Sequence, residues 1–226
     1  MANRTKLLFL TIAGAALAMS GAAQAQTSHT KVFTFMTPDQ GIPAAGDTVG
    51  WARLHRSSGG ARLTLKTSQL GPGAAYSIWW IIFNNPKACG DDGCSDADFG
   101  TAEVEASVLN ATGRVANDDG RASFSAFLPA GFIHTNPSGD VRHAFGPGLQ
   151  NVSGAEIHIV VRCHGESSGS PEQISTLFAD CVVPGSVVDE TTGERSDALV
   201  CFDAQAAVFP LPRRRYLQSK NVSIWK

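Results

Sequence analysis

Charge of one sign is what this 226-residue chain lacks most: 18 basic residues against 20 acidic ones leave a formal net charge of −2. Without a surplus of lysine and arginine, composition gives no electrostatic footprint for nucleic acid or for an anionic membrane surface. The Arg213-Arg214-Arg215 run near the C-terminus is a lone basic cluster and reads as a solvated tail. Beyond the first 19 residues there is also no uninterrupted apolar stretch approaching the roughly 20 residues that a spanning helix needs. One Gly-x-Ser-x-Gly pentapeptide is present, Gly165-Glu166-Ser167-Ser168-Gly169, in a Ser/Gly stretch that reads as a flexible loop. Glycine-rich phosphate cradles of the Walker or Rossmann type are missing as well. There is no internal repeat and no low-complexity linker, so no second domain is expected. Helical signals are nearly absent: only Ser170 to Phe178 qualifies, with Ser170 as a cap and Pro171 in the first turn.

What is present begins with an export signal. Arg4 and Lys6 precede an apolar run from Leu7 to Met19, and small residues lead to Ala23-Gln24-Ala25, an A-x-A cleavage site. Residues 1–25 are therefore expected to be a signal peptide and residues 26–226 a single exported domain, periplasmic or extracellular and without a transmembrane segment. Removing the first 25 residues takes away two basic residues and no acid, so the formal charge moves from −2 to −4. No cysteine stands directly after the cleavage site, which argues against a lipid anchor.

In an oxidising compartment the five cysteines, Cys89, Cys94, Cys163, Cys181 and Cys201, are read first as a disulfide framework. Cys89 and Cys94 bracket the turn Gly90-Asp91-Asp92-Gly93 and are expected to bridge. No second Cys/His pair stands behind them at zinc-ligand spacing. The remaining three cysteines are apportioned by strand pattern.

Turn signals recur regularly: Ser58-Gly59-Gly60, Gly71-Pro72-Gly73, Asn117-Asp118-Asp119-Gly120, Pro137-Ser138-Gly139-Asp140 and Gly146-Pro147-Gly148. Between them apolar and polar residues alternate at period two, the mark of half-buried strands. Ala61, Leu63 and Leu65 are expected to face inward and Arg62, Thr64 and Lys66 to face water. Ala122, Phe124, Ala126 and Leu128 repeat the pattern, and Thr112 to Ala116 should pair with Arg121 to Phe127 as a hairpin. In 155–164, Ala155, Ile157, Ile159, Val161 and Cys163 share the core face. That leaves Cys163 buried and unbridged and pairs Cys181 with Cys201. Tyr76 to Phe83 is apolar on both faces, as in a central strand covered on both sides. The whole reads as an all-β, antiparallel β-sandwich of about eight or nine strands, or a partly open barrel, with long loops and at most one short helix.

Three groups of residues are candidates for function, and no catalytic set can be assembled from sequence. His134, His143, His158 and His164 could offer imidazoles to copper or zinc. His158 and His164 lie six residues apart on one strand face, about 20 Å, and cannot hold one ion together. Asp91, Asp92, Asp96 and Asp98 crowd a turn whose oxygens could suit Ca²⁺, although EF-hand spacing fails at Cys94 and Ala97. Trp51, Trp79 and Trp80 form a possible ligand platform for an envelope component or polysaccharide.

With Gly50-Trp51-Ala52-Arg53-Leu54, Leu70-Gly71-Pro72-Gly73-Ala74-Ala75-Tyr76, Phe83-Asn84-Asn85-Pro86 and Ala155 to Arg162 in view, the chain resembles a group of uncharacterised exported bacterial proteins over Val49 to Val208. That resemblance implies a fold and an address, with no known activity. A more limited likeness, to the CHRD domain and through it to the copper/zinc superoxide dismutase sandwich, rests on a Gly-x-Ala-x-Leu strand followed by a Leu-x-Pro-Gly turn. The chain departs from it where a His-x-His pair would follow the turn, since Tyr76 to Phe83 holds no histidine. The expected function is non-catalytic binding, and the alternative is a periplasmic metalloprotein.

Overall fold

The computed structural model describes residues 25–34, 47–90, 93–131, 143–170, 182–188, 195–199 and 202–210. They form an all-β, antiparallel structure. Its strands are β1 (Gln26–Thr34), β2 (Thr48–Ser57), β3 (Gly60–Thr67), β4 (Ala74–Phe83), β5 (Ala106–Val115), β6 (Ala122–Pro129), β7 (His143–Phe145), β8 (Glu156–Glu166), β9 (Val182–Val188), β10 (Arg195–Leu199) and β11 (Phe202–Phe209). The segment expected to be helical, from Ser170 to Phe178, lies almost wholly outside the described residues, as does the proposed signal peptide up to residue 24.

Nine strands make one sheet in the order β6-β3-β2-β1-β11-β8-β4-β5-β7, and β9 pairs with β10 apart from it. The sheet curls until its ends nearly meet, so the two layers of the sandwich are two halves of one sheet. At one mouth β5 and β6 are joined by the Asn117–Gly120 turn, closed by Asn117 N–H to Arg121 O at 3.0 Å. At the other, Ala130 bridges Leu149, and Gly131 N–H donates to Leu149 O at 2.7 Å. The expected β5–β6 hairpin ladder does not form. The turn is there, but β5 hydrogen-bonds to β4 from Ala106 to Val115, β6 pairs with β3 along its whole length, and a seam is left between β5 and β6. Turn chemistry specifies a reversal; it does not specify which edge each strand then uses.

Alternation is realised as expected. Leu54, Leu63, Leu65, Phe124, Ile78, Trp80, Ile82, Ile157, Ile159 and Val161 fill the interior, and Cys163 lies among them. Burying such a side chain contributes about 1.5–3 kcal/mol each. One of the breaks in the period is at Val49, which has no partner in β1, because Val32 pairs with Gly50 and Phe33 with Thr48. This bulge puts Val49 and Ala52 both inside. It also brings the backbone of β3 against Gly50, where a Cβ would stand 2.1 Å from Lys66 O.

A second, smaller core lies outside the sheet. Residues 84–105 carry three 3₁₀ turns, Pro86–Ala88, Asp96–Asp98 and Ala102–Val104, and wrap over the outer faces of β4, β5 and β8. Trp79, Ile81, Phe83, Val108 and Val160 pack there against Val104, Phe99 and the Cys89 and Cys94 side chains. This layer explains why β4 is apolar on both faces.

Candidate functional site

The half of the sheet formed by β1, β2, β3 and β6 has no covering layer from the described residues, and none of these four strands contains an aspartate or glutamate. Residues two apart on a strand share a face, so the register fixes three rows across this surface. One row is Thr27, His55, Arg62 and Phe127. The next is His29, Arg53, Thr64 and Ser125, and the third Lys31, Trp51, Lys66 and Ser123. Four cations, two imidazoles and four hydroxyls thus lie on a patch about 13 Å along the strands and about 14 Å across them.

Two aromatic rings are exposed on the patch, Trp51 at 43% and Phe127 at 47%. Each carries a cation: the Arg62 guanidinium sits 5.2 Å from the Phe127 centroid, and Lys66 Nζ 5.8 Å from the Trp51 ring. Such contacts hold a long, mobile side chain upright over the ring. His55 Nδ1 is tied to Thr27 Oγ1 at 2.9 Å.

The opposite side of the molecule is different in charge and in burial. The described part of the wrapping segment carries four acidic residues, Asp96, Asp98, Glu103 and Glu105, and a single basic one, Lys87. Beneath it, His158 Nε2 lies 2.8 Å from Glu156 Oε1, and the Phe83 ring meets the imidazole edge-on at 5.1 Å. Further along β8, His164 Nε2 lies 2.7 Å from Ser77 Oγ, which also accepts a 2.8 Å bond from Trp79 Nε1. A hydroxyl beside an imidazole is the start of a nucleophile–base pair. Here it is sealed, with Ser77 at 0% and His164 at 1% exposure, so the bond is an interior polar link.

A buried ion, Arg56, and a part-buried ion pair, Arg162–Asp203, border the interior. Arg56 donates to Val152 O and Ala155 O, both at 2.8 Å, and loss of hydration lowers its pKa to about 10 against the pull of Glu156. Arg162 donates to Asp203 Oδ1 at 2.8 Å. Burial nonetheless raises the Asp203 pKa, outweighing the nearby guanidinium.

Of the candidate imidazoles, His158 and His164 are buried and each has its own partner, contrary to the view of them as outward strand residues. For His158 the reason is the wrapping layer, which has no period that could announce it. His143 has its backbone in β7, three strand spacings from β8, roughly 14 Å. His134 lies outside the described residues. Among the described residues no three His, Cys, Asp or Glu side chains are grouped to hold a metal ion. In the acidic turn, Asp91 and Asp92 lie outside the described residues, and Asp98 is engaged in capping: its Oδ2 accepts from Ser95 N–H at 2.8 Å. Asp96 heads the same 3₁₀ turn.

The three tryptophans do not make one platform. Trp79 and Trp80 are 4% and 1% exposed on opposite faces of β4, and Trp51 alone reaches solvent. Cys89 and Cys94 are bonded, with Cα atoms 5.0 Å apart, and Cys163 is free and buried. The bridge is packed in the outer core and not at the surface, because residues 84–105 fold onto the sheet. Cys181 and Cys201 lie outside the described residues, beyond the β9–β10 ladder whose end pairs Val182 with Leu199.

Sequence reading by net charge missed Lys31, Arg53, Arg62 and Lys66 as a set. The signal was present in four alternating strands whose outward positions include cations and no acid. No helix among the described residues is long and apolar enough to cross a membrane. No family model matches the chain, and no curated protein and no solved structure is similar to it.

Proposed function

We propose that this chain is an exported, non-catalytic binding protein that takes an anionic component of the cell envelope or its surroundings on the outer face of β1, β2, β3 and β6. One observation carries the reading: a solvent-facing patch with four cations and no acid, in a chain whose total charge is negative. The segment wrapping the other half of the sheet carries Asp96, Asp98, Glu103 and Glu105 against Lys87, and such a difference in charge would favour approach of the cationic face to an anionic surface. The export signal and the Cys89–Cys94 disulfide are compatible with that address. The sealed Ser77–His164 pair gives no support to a hydrolytic reading.

The test is retention of the purified protein on immobilised polyanions at low ionic strength, with Arg53→Glu/Arg62→Glu as the comparison. Salt-dependent retention that the double variant loses is the expected result. Retention unchanged by the double variant, or none for either protein, would remove the proposal.

A further inference from the structure

The ligand class follows from how the cations are held. We infer that the patch binds an acidic polysaccharide, a carboxylated or sulfated glycan, through the cations and hydroxyls of β3 and β6, and that Phe127 and Trp51 act as stands for Arg62 and Lys66. This rests on the reading of the face as anion-binding and says what the anion is.

Three anionic polymers compete for such a patch: nucleic acid, a lipid headgroup surface and an acidic glycan. Single-stranded nucleic acid is held by bases stacked on open aromatic faces, worth about 1–3 kcal/mol per base. Both exposed rings here already have a cation over them, at 5.2 Å and 5.8 Å. A base would have to displace Arg62 or Lys66, the side chains that would meet its phosphate. A bilayer surface rewards apolar side chains that insert beside the cations. The patch instead intersperses its cations with Thr64, Ser123 and Ser125, short hydroxyls that accept and donate at a fixed height above the sheet. Anionic groups to pair with cations and hydroxyls to pair with hydroxyls are what a uronate or sulfated chain presents at every residue. The three rows of outward residues run across the strands, which suits an extended chain lying along a row.

The test uses the purified protein and five probes: polygalacturonate, dextran sulfate, neutral dextran, oligothymidylate of matched charge, and phosphatidylglycerol vesicles. Binding is measured by calorimetry for the unaltered protein, Phe127→Ala, Arg62→Gln and the double variant. Phe127 is exposed, so its truncation leaves the core intact, and circular dichroism checks this. The expected result is binding to polygalacturonate or dextran sulfate ahead of the other three. Phe127→Ala should weaken it about two- to fivefold, the scale of an exposed cation–π contact. The double variant should be no weaker than Arg62→Gln alone, because the ring acts through the guanidinium.

Tighter binding to oligothymidylate or to vesicles overturns the glycan assignment while leaving the face as an anion site. Equal binding to every polyanion does the same. Additive losses, or no effect of Phe127→Ala, overturn the role given to the ring. No binding to any of the four anionic probes overturns the anion-binding reading itself.

Discussion

His158 Nε2 and Glu156 Oε1 are 2.8 Å apart on the covered face of β8, and both side chains are at most 3% exposed. The pair is two residues apart on one strand, so the backbone itself sets the two side chains side by side. Glu156 Oε2 and His158 Nδ1 have no hydrogen-bond partner among the described residues. Replacing either residue alone by leucine therefore leaves the other as a buried polar group, a loss of about 1–3 kcal/mol. The double Glu156→Leu/His158→Leu variant should cost less than the two single losses added together. Urea unfolding of the three variants measures this, and strict additivity would show that the two groups do not depend on each other.

Asn84 is the fastening of the outer layer. Its Nδ2 donates to Glu105 O at 2.9 Å and to Gly148 O at 2.8 Å, and its Oδ1 accepts from Gln150 N–H and Asn151 N–H at 2.8 and 3.1 Å. Four backbone groups of the segments either side depend on one buried amide. Asn84→Ala strips all four and is expected to cost about 3 kcal/mol or more. Asn84→Asp keeps the two acceptor bonds and sets a carboxylate against two carbonyls, so it should be no better. Hydrogen exchange is the sharper readout: protection should fall in 84–105 and 148–151 before it falls in β2 or β3.

Where a residue's environment was set by its own strand, the sequence was legible. The inward set of β3, the apolar face of 155–163 and the burial of Cys163 all followed from period two. What was not legible depended on a second element folding back. The outer layer of 84–105 has no periodicity, yet it converts Phe83, Trp79, Glu156 and His158 from surface to interior. The cationic face was hidden for a different reason: net charge sums over the whole chain, whereas these cations share a face whose four strands hold no acid. Four strands had to be laid in register before Lys31, Arg53, Arg62 and Lys66 became neighbours.

Cys163 should be inert in the native protein and reactive once unfolded. Its side chain lies in the interior with Ile157, Ile159 and Val161, on the residue paired across the ladder with Tyr76. The Tyr76 hydroxyl accepts Gly71 N–H at 2.8 Å, and burial pushes its pKa far up, a sign of how dry this region is. A buried thiol in such surroundings resists modification. Alkylation before and after denaturation, followed by peptide mapping without reduction, should label Cys163 only in the second case. The same map should show Cys181 linked to Cys201, and a Cys163 peptide joined to either would contradict the expectation.

Asp203 gives a pH signature whose sign is opposite to that of an ordinary paired carboxylate. Burial raises its pKa in the folded state despite the Arg162 guanidinium at 2.8 Å. The folded protein therefore holds this proton more tightly than the unfolded chain, where an aspartate titrates near pH 3.9 (roughly). Between that value and the raised one, stability contributed by this group falls as pH rises. Asp203→Asn cannot ionise and should lack that fall. Melting temperature followed from about pH 4 to neutral, for both proteins, is the check: parallel curves would mean that Asp203 contributes nothing.

The Cys89–Cys94 bridge closes a very short loop, and the chain-entropy model gives such a loop only about 2 kcal/mol. A bridge from Cys181 to Cys201 would close a longer one and contribute roughly 3 kcal/mol on the same model. Entropy is not the whole effect for the first pair, because both sulfurs are buried against Val104 and Phe99 in the outer core. Cys94→Ala should therefore cost the entropic term plus a packing loss, and it leaves Cys89 as a thiol in the same pocket of side chains. Cys89→Ala/Cys94→Ala should recover little, since neither alanine fills the space of the sulfurs. The damage should be local: hydrogen exchange accelerates in 84–105, while β2, β3 and their cationic face keep their protection and their retention on polyanions. Loss of polyanion retention in the double alanine variant would mean that the two sides of the sheet are coupled, against the separation of the two cores.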